Sequence, residues 1–302
     1  MRAVTIHGVT ITDDSPCYVI AELGNNHQGD PVIAGQLIEM AARAGAHAVK
    51  FQRRHTDTLY SQALLETPYT HAAAFGPTYG AHRVALELPL AAYSPLIAHA
   101  HQLGLACLCT AFDEASADDL VSVGIDGIKI ASGGVTDEAL LAHVQRCHVP
   151  VIISTGGCAQ VQILRAAALV PGAALLHCTA AYPCAFDELN LSYIHTLRRL
   201  FAGHLIGWSG HDSGIAMAGL AYALGARIIE KHVTLNRAMR GTDHAFSLEP
   251  PGLTKLCRDL ERARVAWGDG RKHYYESARK PLAKMRRRQT SEGWRITGEV
   301  DA

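Results

Sequence analysis

Residues 227–235 read RIIEKHVTL, and the fold turns on this stretch. Ile228, Ile229, Val233 and Leu235 give it the composition of a strand sealed on both faces, yet Glu230, Lys231 and His232 stand in its middle. Buried charge is expensive unless it is paired or bound to something. With a side-chain period of two, Glu230 and His232 share one face and Lys231 takes the other. Strands that are apolar on both faces belong to parallel sheets covered by helices. Working outward, seven further runs read the same way: CYVIAEL (17–23), AVKFQ (48–52), LACLCTAF (105–112), GIKIAS (127–132), VIISTG (151–156), AALLHCTA (173–180) and LIGWSG (205–210). Amphipathic stretches such as PVIAGQLIEMAARAG lie between them, several ending in a helix-capping glycine. Eight strand–helix units over about 250 residues predict a TIM (β/α)8 barrel. A doubly wound sheet is the alternative. The count of eight, and the lack of a Gly-rich dinucleotide fingerprint after the first strand, favour the barrel.

The rest of the chain fits around that frame. MRAVTIHGVTITDD alternates about a His-Gly turn and reads as an N-terminal β-hairpin rather than a signal peptide. The barrel with its hairpin is expected over residues 1–285, and a polar C-terminal tail over 286–302. Residues 53–88 form the longest connection and read as a structured loop over the barrel mouth. Lys plus Arg and Asp plus Glu both number 28, so global charge gives no case for nucleic acid or a membrane as partner. No apolar run is long enough to span a bilayer. Eight cysteines without a secretory signal suggest reduced thiols and a cytoplasmic location. Cys107 and Cys109 face one side of a strand and read as small core residues rather than a metal site.

Barrel enzymes draw their catalytic groups from the C-terminal ends of the strands. Polar residues stand there on every predicted strand: Glu22, with Asn25, Asn26 and His27 following; Lys50 and Gln52; Thr110; Lys129 and Ser132; Ser154 and Thr155; His177 and Thr179, then Tyr182; Ser209 and His211; and Glu230, Lys231 and His232. Taken singly, a hydroxyl caps a helix, a histidine is a hydrogen-bonded core residue, and a lysine snorkels. Two lysines and four hydroxyls converging on one mouth suit a phosphate and a carboxylate. His211 and His232, on adjacent strands, suit a divalent metal with open positions.

The segments IAELGNNHQGD, AGAHAVKFQ, KIASGGVTD, VIISTGG, LLHCTAAYP and IIEKHVTLNRAMRGTDHAFSLEP, in that order, resemble the N-acetylneuraminate (sialic acid) synthase family over about residues 4–282. The resemblance implies a barrel with an N-terminal hairpin that condenses phosphoenolpyruvate with an aldose, N-acetylmannosamine or a related sugar. The product is a nonulosonic acid, and phosphate is released. It implies Mn²⁺ or Mg²⁺ on His211 and His232, and a phosphoenolpyruvate cradle of Lys50, Thr110, Lys129, Ser132, Ser154 and Ser209. Glu22 would lie beside the reacting aldehyde, and Gln52, Tyr182, Asp243 and His244 would meet the acceptor sugar. Family members pair as dimers, so a homodimer is expected.

This sequence departs from the family pattern in three places. It ends near where the family's C-terminal antifreeze-like domain begins, a domain that supplies an arginine to the sugar; Arg83 in the long connection is a candidate substitute. Gly134 stands where the family has a Glu that contacts the acceptor. Gly210 stands within Ser209-Gly210-His211, where the family has an Asp. The donor half therefore looks intact and the acceptor half altered. Two other readings remain open: a metal-dependent pyruvate aldolase or lyase, and a non-catalytic paralogue that binds a sugar or phosphometabolite.

Overall fold

The computed structural model describes residues 2–299. Eight parallel strands close into a barrel: β3 (Tyr18–Gly24), β4 (Ala48–Arg53), β5 (Ala106–Ala111), β6 (Gly127–Ile130), β7 (Val151–Ser154), β8 (Ala174–Cys178), β9 (Ile206–Gly210) and β10 (Ile228–His232). Closure is made by β10 against β3, with Glu230 opposite Ile20 and His232 opposite Glu22. The eight strands are those expected, with trimmed ends. An antiparallel hairpin, β1 (Ala3–Ile6) and β2 (Val9–Thr12), precedes them. Its two turn residues, His7 and Gly8, have φ of 45° and 77°. That left-handed pair matches the twist of a two-residue hairpin loop.

Alternation along each strand separates two cores. Outward residues such as Val19, Val49, Cys107, Cys109, Ile128 and Ile229 pack against the helices. Cys107 and Cys109 thus lie on one side, as core. Inward residues Ile20, Leu108, Ile152, Leu176 and Ile228 fill the lower barrel, and Ile6 and Ile11 of the hairpin close it from below. The polar residues stand above this apolar plug, at the C-terminal ends.

Helix α1 (Pro31–Ala44) shows how the helices are bounded. Asp30 accepts a hydrogen bond from Val32 N at 2.7 Å, proline opens the first turn, and Gly45 closes the helix at φ 86°. The long connection after β4 folds into three short helices, α2 (Thr56–Leu59), α3 (Gln62–Leu65) and α4 (Tyr79–Leu86). A helix, α5 (Tyr93–Gln102), leads into β5.

The chain divides into two compact units, the barrel unit up to Arg264 and a second from Val265 onward. The second unit carries a helix, Glu276–Ala283, and an antiparallel hairpin, Arg287–Thr290 with Gly293–Ile296. No helix among the described residues is long and apolar enough to cross a membrane.

Candidate active site

The C-terminal ends of the barrel strands surround a cavity of about 470 Å³, within the range of small-molecule sites. Glu22, Lys50, Gln52, Thr110, Lys129, Ser132, Ser154, Tyr182, Ser209, His211, His232 and Asp243 all line it, from residues widely separated in the chain. The period of two explains the convergence: Lys50 and Gln52 point inward from β4, and Glu230 and His232 from β10. Lys231 points outward. Its ammonium donates to Asp212 Oδ1 at 2.8 Å and Asp212 O at 2.7 Å, and it lies 5.5 Å from the Trp208 ring centroid. The Glu-Lys-His run in a buried strand is thereby resolved into two cavity groups and one buried ion pair.

Four charged groups alternate across the floor. Lys50 Nζ lies 2.6 Å from Glu22 Oε2 and 3.8 Å from Glu230 Oε1. Lys129 Nζ donates to both Glu230 oxygens at 3.3 Å. Lys50 also donates to Thr110 Oγ1 at 2.8 Å, Ser209 Oγ to Glu230 Oε1 at 3.1 Å, and Gln52 Nε2 to Glu22 Oε1 at 2.8 Å. All four charged side chains are buried. Burial pushes Glu22 up to about 7; Lys50 opposes this and Glu230 adds to it. Burial also works against the charge on Glu230, but Lys129 and Lys50 outweigh it and hold the carboxyl at about 2. Burial pulls Lys129 below its ordinary value, with Glu230 opposing. Lys50 faces the same penalty, yet Glu22 and Glu230 together lift it above its ordinary value. Lys50 serves two carboxylates at once, so it stays charged while Glu22, the less favoured of the two, is the one left near neutrality.

His211 and His232 face each other across β9 and β10 with ring centroids 5.5 Å apart. Burial pulls His211 down to about 3 and His232 to about 4, so both are neutral at pH 7, the form that binds metals. His211 Nδ1 is held by Thr179 O at 2.8 Å, which leaves its other nitrogen for the cavity. His232 Nδ1 is buried without a hydrogen-bond partner among the described residues, 3.7 Å from Asp243 Oδ2. Such an orphan beside a second neutral imidazole fits a divalent cation. Ser154 Oγ, on the same cavity, is also buried without a hydrogen-bond partner among the described residues. Ser132 Oγ accepts from Gly156 N at 2.9 Å.

Several expected positions stand elsewhere, His244, His177 and Thr155 among them. His244 is behind the cavity wall, with Nδ1 2.7 Å from Thr234 Oγ1, because its loop turns the ring inward beneath Gly241. His177 faces the helices, its Nε2 2.7 Å from Leu189 O, since it has the opposite parity to Leu176 and Cys178. Thr155 Oγ1 donates to Leu176 O rather than lining the cavity. The two glycine departures also have a local cause. A side chain at Gly210 would collide with the Trp208 indole, and one at Gly134 would start 3.1 Å from Ile130 Cγ2. Gly133, not Gly134, borders the cavity.

Sequence reasoning placed Glu230 at the mouth beside His232 without giving it a role, and missed Arg54 and Tyr60, which line the cavity with Arg83. Arg54 continues the parity of Lys50 and Gln52 beyond the strand, and that was a usable signal. Its guanidinium donates to Gln52 Oε1 at 2.6 Å, lies 3.3 Å from Glu87 Oε1, and stacks 4.3 Å from the Phe112 centroid. Arg83 Nε donates to Tyr79 Oη at 2.9 Å, so α4 carries this cation to the rim.

A closed parallel barrel with lysines, hydroxyls and neutral imidazoles at the C-terminal ends of its strands has the architecture of a barrel enzyme, with its polar groups where such enzymes carry their active sites. The chain belongs to the NeuB family, whose model matches residues 37–272. It is 35% identical over 257 residues to the N-acetylneuraminate-9-phosphate synthase of Homo sapiens, covering 84% of this chain and 72% of that one. It is 37% identical over 277 residues to the N,N'-diacetyllegionaminic acid synthase of Campylobacter jejuni, covering 89% and 83%. The crystal structure of N-acetylneuraminic acid synthetase from Leptospira borgpetersenii in complex with citrate superposes with a TM-score of 0.80 at 31% identity, over 91% of this chain and 93% of that one. The relatives are synthases, and this chain is a condensing enzyme of the transferase type.

Proposed function

We propose that the protein condenses phosphoenolpyruvate with an aldose, N-acetylmannosamine or a related sugar, to a nonulosonic-type 3-deoxy-2-keto acid and releases phosphate. A carbon–carbon bond forms between C3 of the enol phosphate and the aldehyde carbon, water adds at C2, and phosphate leaves. The observation that carries this reading is the lysine floor: two buried ammonium groups and the orphan Ser154 hydroxyl facing one cavity beside two neutral imidazoles.

Lys50 and Lys129 would meet the phosphate and carboxylate, with Thr110, Ser132, Ser154 and Ser209 supplying directional hydrogen bonds. Glu22, held near pH 7, would donate a proton to the aldehyde oxygen as it becomes a hydroxyl. Gln52 keeps that carboxyl aimed through its 2.8 Å hydrogen bond. Gln52, Tyr182 and Asp243 would face the sugar, and Arg83 would take its far end. His211 and His232 would hold Mn²⁺ or Mg²⁺, which when bound polarises the aldehyde carbonyl. Eight free cysteines accord with a cytoplasmic enzyme.

The test is phosphate release from phosphoenolpyruvate with Mn²⁺ and a panel of aldoses, with and without N-acetylation or phosphorylation. Release that depends on one of the sugars is expected. Turnover of pyruvate instead, surviving Lys50→Ala and Lys129→Ala, would indicate an aldolase. No turnover with any sugar would overturn the proposal.

A further inference from the structure

A second cluster of ligating side chains lies at the other end of the barrel. His7 comes from the turn between β1 and β2, His101 from the last turn of α5, and Asp126 from the residue before β6. All three mark the N-terminal end of the strands, remote from the catalytic mouth. His7 Nδ1 is 2.8 Å from Asp126 Oδ1, and His101 Nε2 is 2.7 Å from Asp126 Oδ2. The two rings stack with centroids 4.2 Å apart and 22° between planes, so both nitrogens address one carboxylate. The three ligand atoms lie within 4.8 Å of one another.

We propose that His7, His101 and Asp126 form a binding site for a divalent transition metal of the zinc, cobalt or nickel class. This does not rest on the function proposed above. The donor set decides the class: two imidazoles and one carboxylate favour these ions over Mg²⁺ or Ca²⁺, which prefer all-oxygen shells. The carboxylate is already oriented, because Asp126 Oδ2 also accepts from Cys107 N at 2.7 Å. A backbone donor on a ligating carboxylate is the support that metal sites usually carry. Access is open: the His7 and His101 side chains are 43% and 32% exposed.

On binding, the ion takes the place of the hydrogen bonds that each ring makes with Asp126. Bonds of about 2.0–2.1 Å in a tetrahedral shell place ligand atoms roughly 3.3 Å apart, so each imidazole has to draw back from its carboxylate oxygen and swing out of the stack to aim its nitrogen at the ion. Water completes the shell on the exposed side. The site would fasten the hairpin to α5 and to the start of β6. An ion that binds only the folded chain raises its stability by mass action.

The experiment uses the full chain stripped with chelator, titrated with Zn²⁺ by calorimetry and followed by thermal unfolding. The double variant His211→Ala/His232→Ala removes the catalytic pair and is expected to keep one zinc equivalent and a zinc-dependent rise in Tm. Adding His7→Asn and His101→Gln is expected to abolish both effects. In an otherwise wild-type chain those two changes should remove one equivalent and leave turnover unchanged; Asn tolerates the left-handed turn at position 7. Three results would each overturn the proposal: zinc binding weaker than about 10 µM in the His211→Ala/His232→Ala chain, an equivalent that persists in the chain carrying all four changes, or displacement by millimolar Mg²⁺.

Discussion

Replacing Glu230 with glutamine tests the charge balance of the floor most directly. The side chain keeps its shape, and its amide oxygen can still accept from Ser209. What is lost is the charge that faces Lys129 at 3.3 Å and Lys50 at 3.8 Å. At an effective dielectric of about 20, these attractions amount to roughly 5 and 4 kcal/mol before desolvation. The two ammonium groups would then share Glu22 alone, leaving one uncompensated buried charge. Removing one partner of such a pair typically costs about 3–5 kcal/mol. Lys129 limits the damage, because burial already depresses its pKa and it can shed its proton. A folded-state pKa held below the unfolded value penalises folding at low pH, and the penalty fades as pH rises toward the unfolded pKa. The stability gap between Glu230→Gln and wild type should therefore narrow from pH 6 to pH 9.

Urea unfolding measures that gap, and phosphoenolpyruvate provides the second readout. Where Lys129 keeps its proton, at the low end of that pH range, an anion entering the variant meets one more net positive charge than in the wild type, so it should bind about tenfold more tightly and add about 1.4 kcal/mol more stabilisation at equal concentration. Turnover should still fall, because Lys129 would no longer be held in place. A variant within about 1 kcal/mol of wild type, with unchanged phosphoenolpyruvate affinity, would refute the picture of a charge-balanced floor that opens for an anion.

Three further outcomes are expected. Ser154→Ala should raise the KM for phosphoenolpyruvate about tenfold with no loss of Tm, because the hydroxyl is an orphan until ligand arrives; steady-state kinetics and thermal unfolding check this. Lys231→Met should lower stability by roughly 3–5 kcal/mol, since it strands Asp212, yet leave the KM for either substrate unchanged. Glu22 is protonated below its raised pKa of about 7, so kcat should fall as pH rises through that value. Glu22→Gln should remove that limb of the profile while still binding phosphoenolpyruvate.

The barrel was legible because its strands are sealed on both faces, and the alternation within RIIEKHVTL already divided Lys231 from Glu230 and His232. The same parity rule, carried one step past the end of β4, leads from Lys50 and Gln52 to Arg54. It fails at His244, since a loop has no period and the ring's direction is set by its contact with Thr234. It could not show that Lys129 and Glu230, 101 residues apart, meet across the barrel. Nor could it show that a glycine at 210 answers to the indole of Trp208 rather than to the substrate. Inward direction is a property of one strand and can be read from a few residues. Charge pairing across the cavity depends on the register of several strands at once. That difference makes Glu230 informative: by parity alone it is one more inward carboxylate, whereas in the folded barrel it pairs with both lysines and adds its repulsion to the burial that raises Glu22. For the proposed anionic substrate, such a site needs its cations neutralised while empty. Glu230 does this from the strand whose next inward residue, His232, faces the other half of the chemistry.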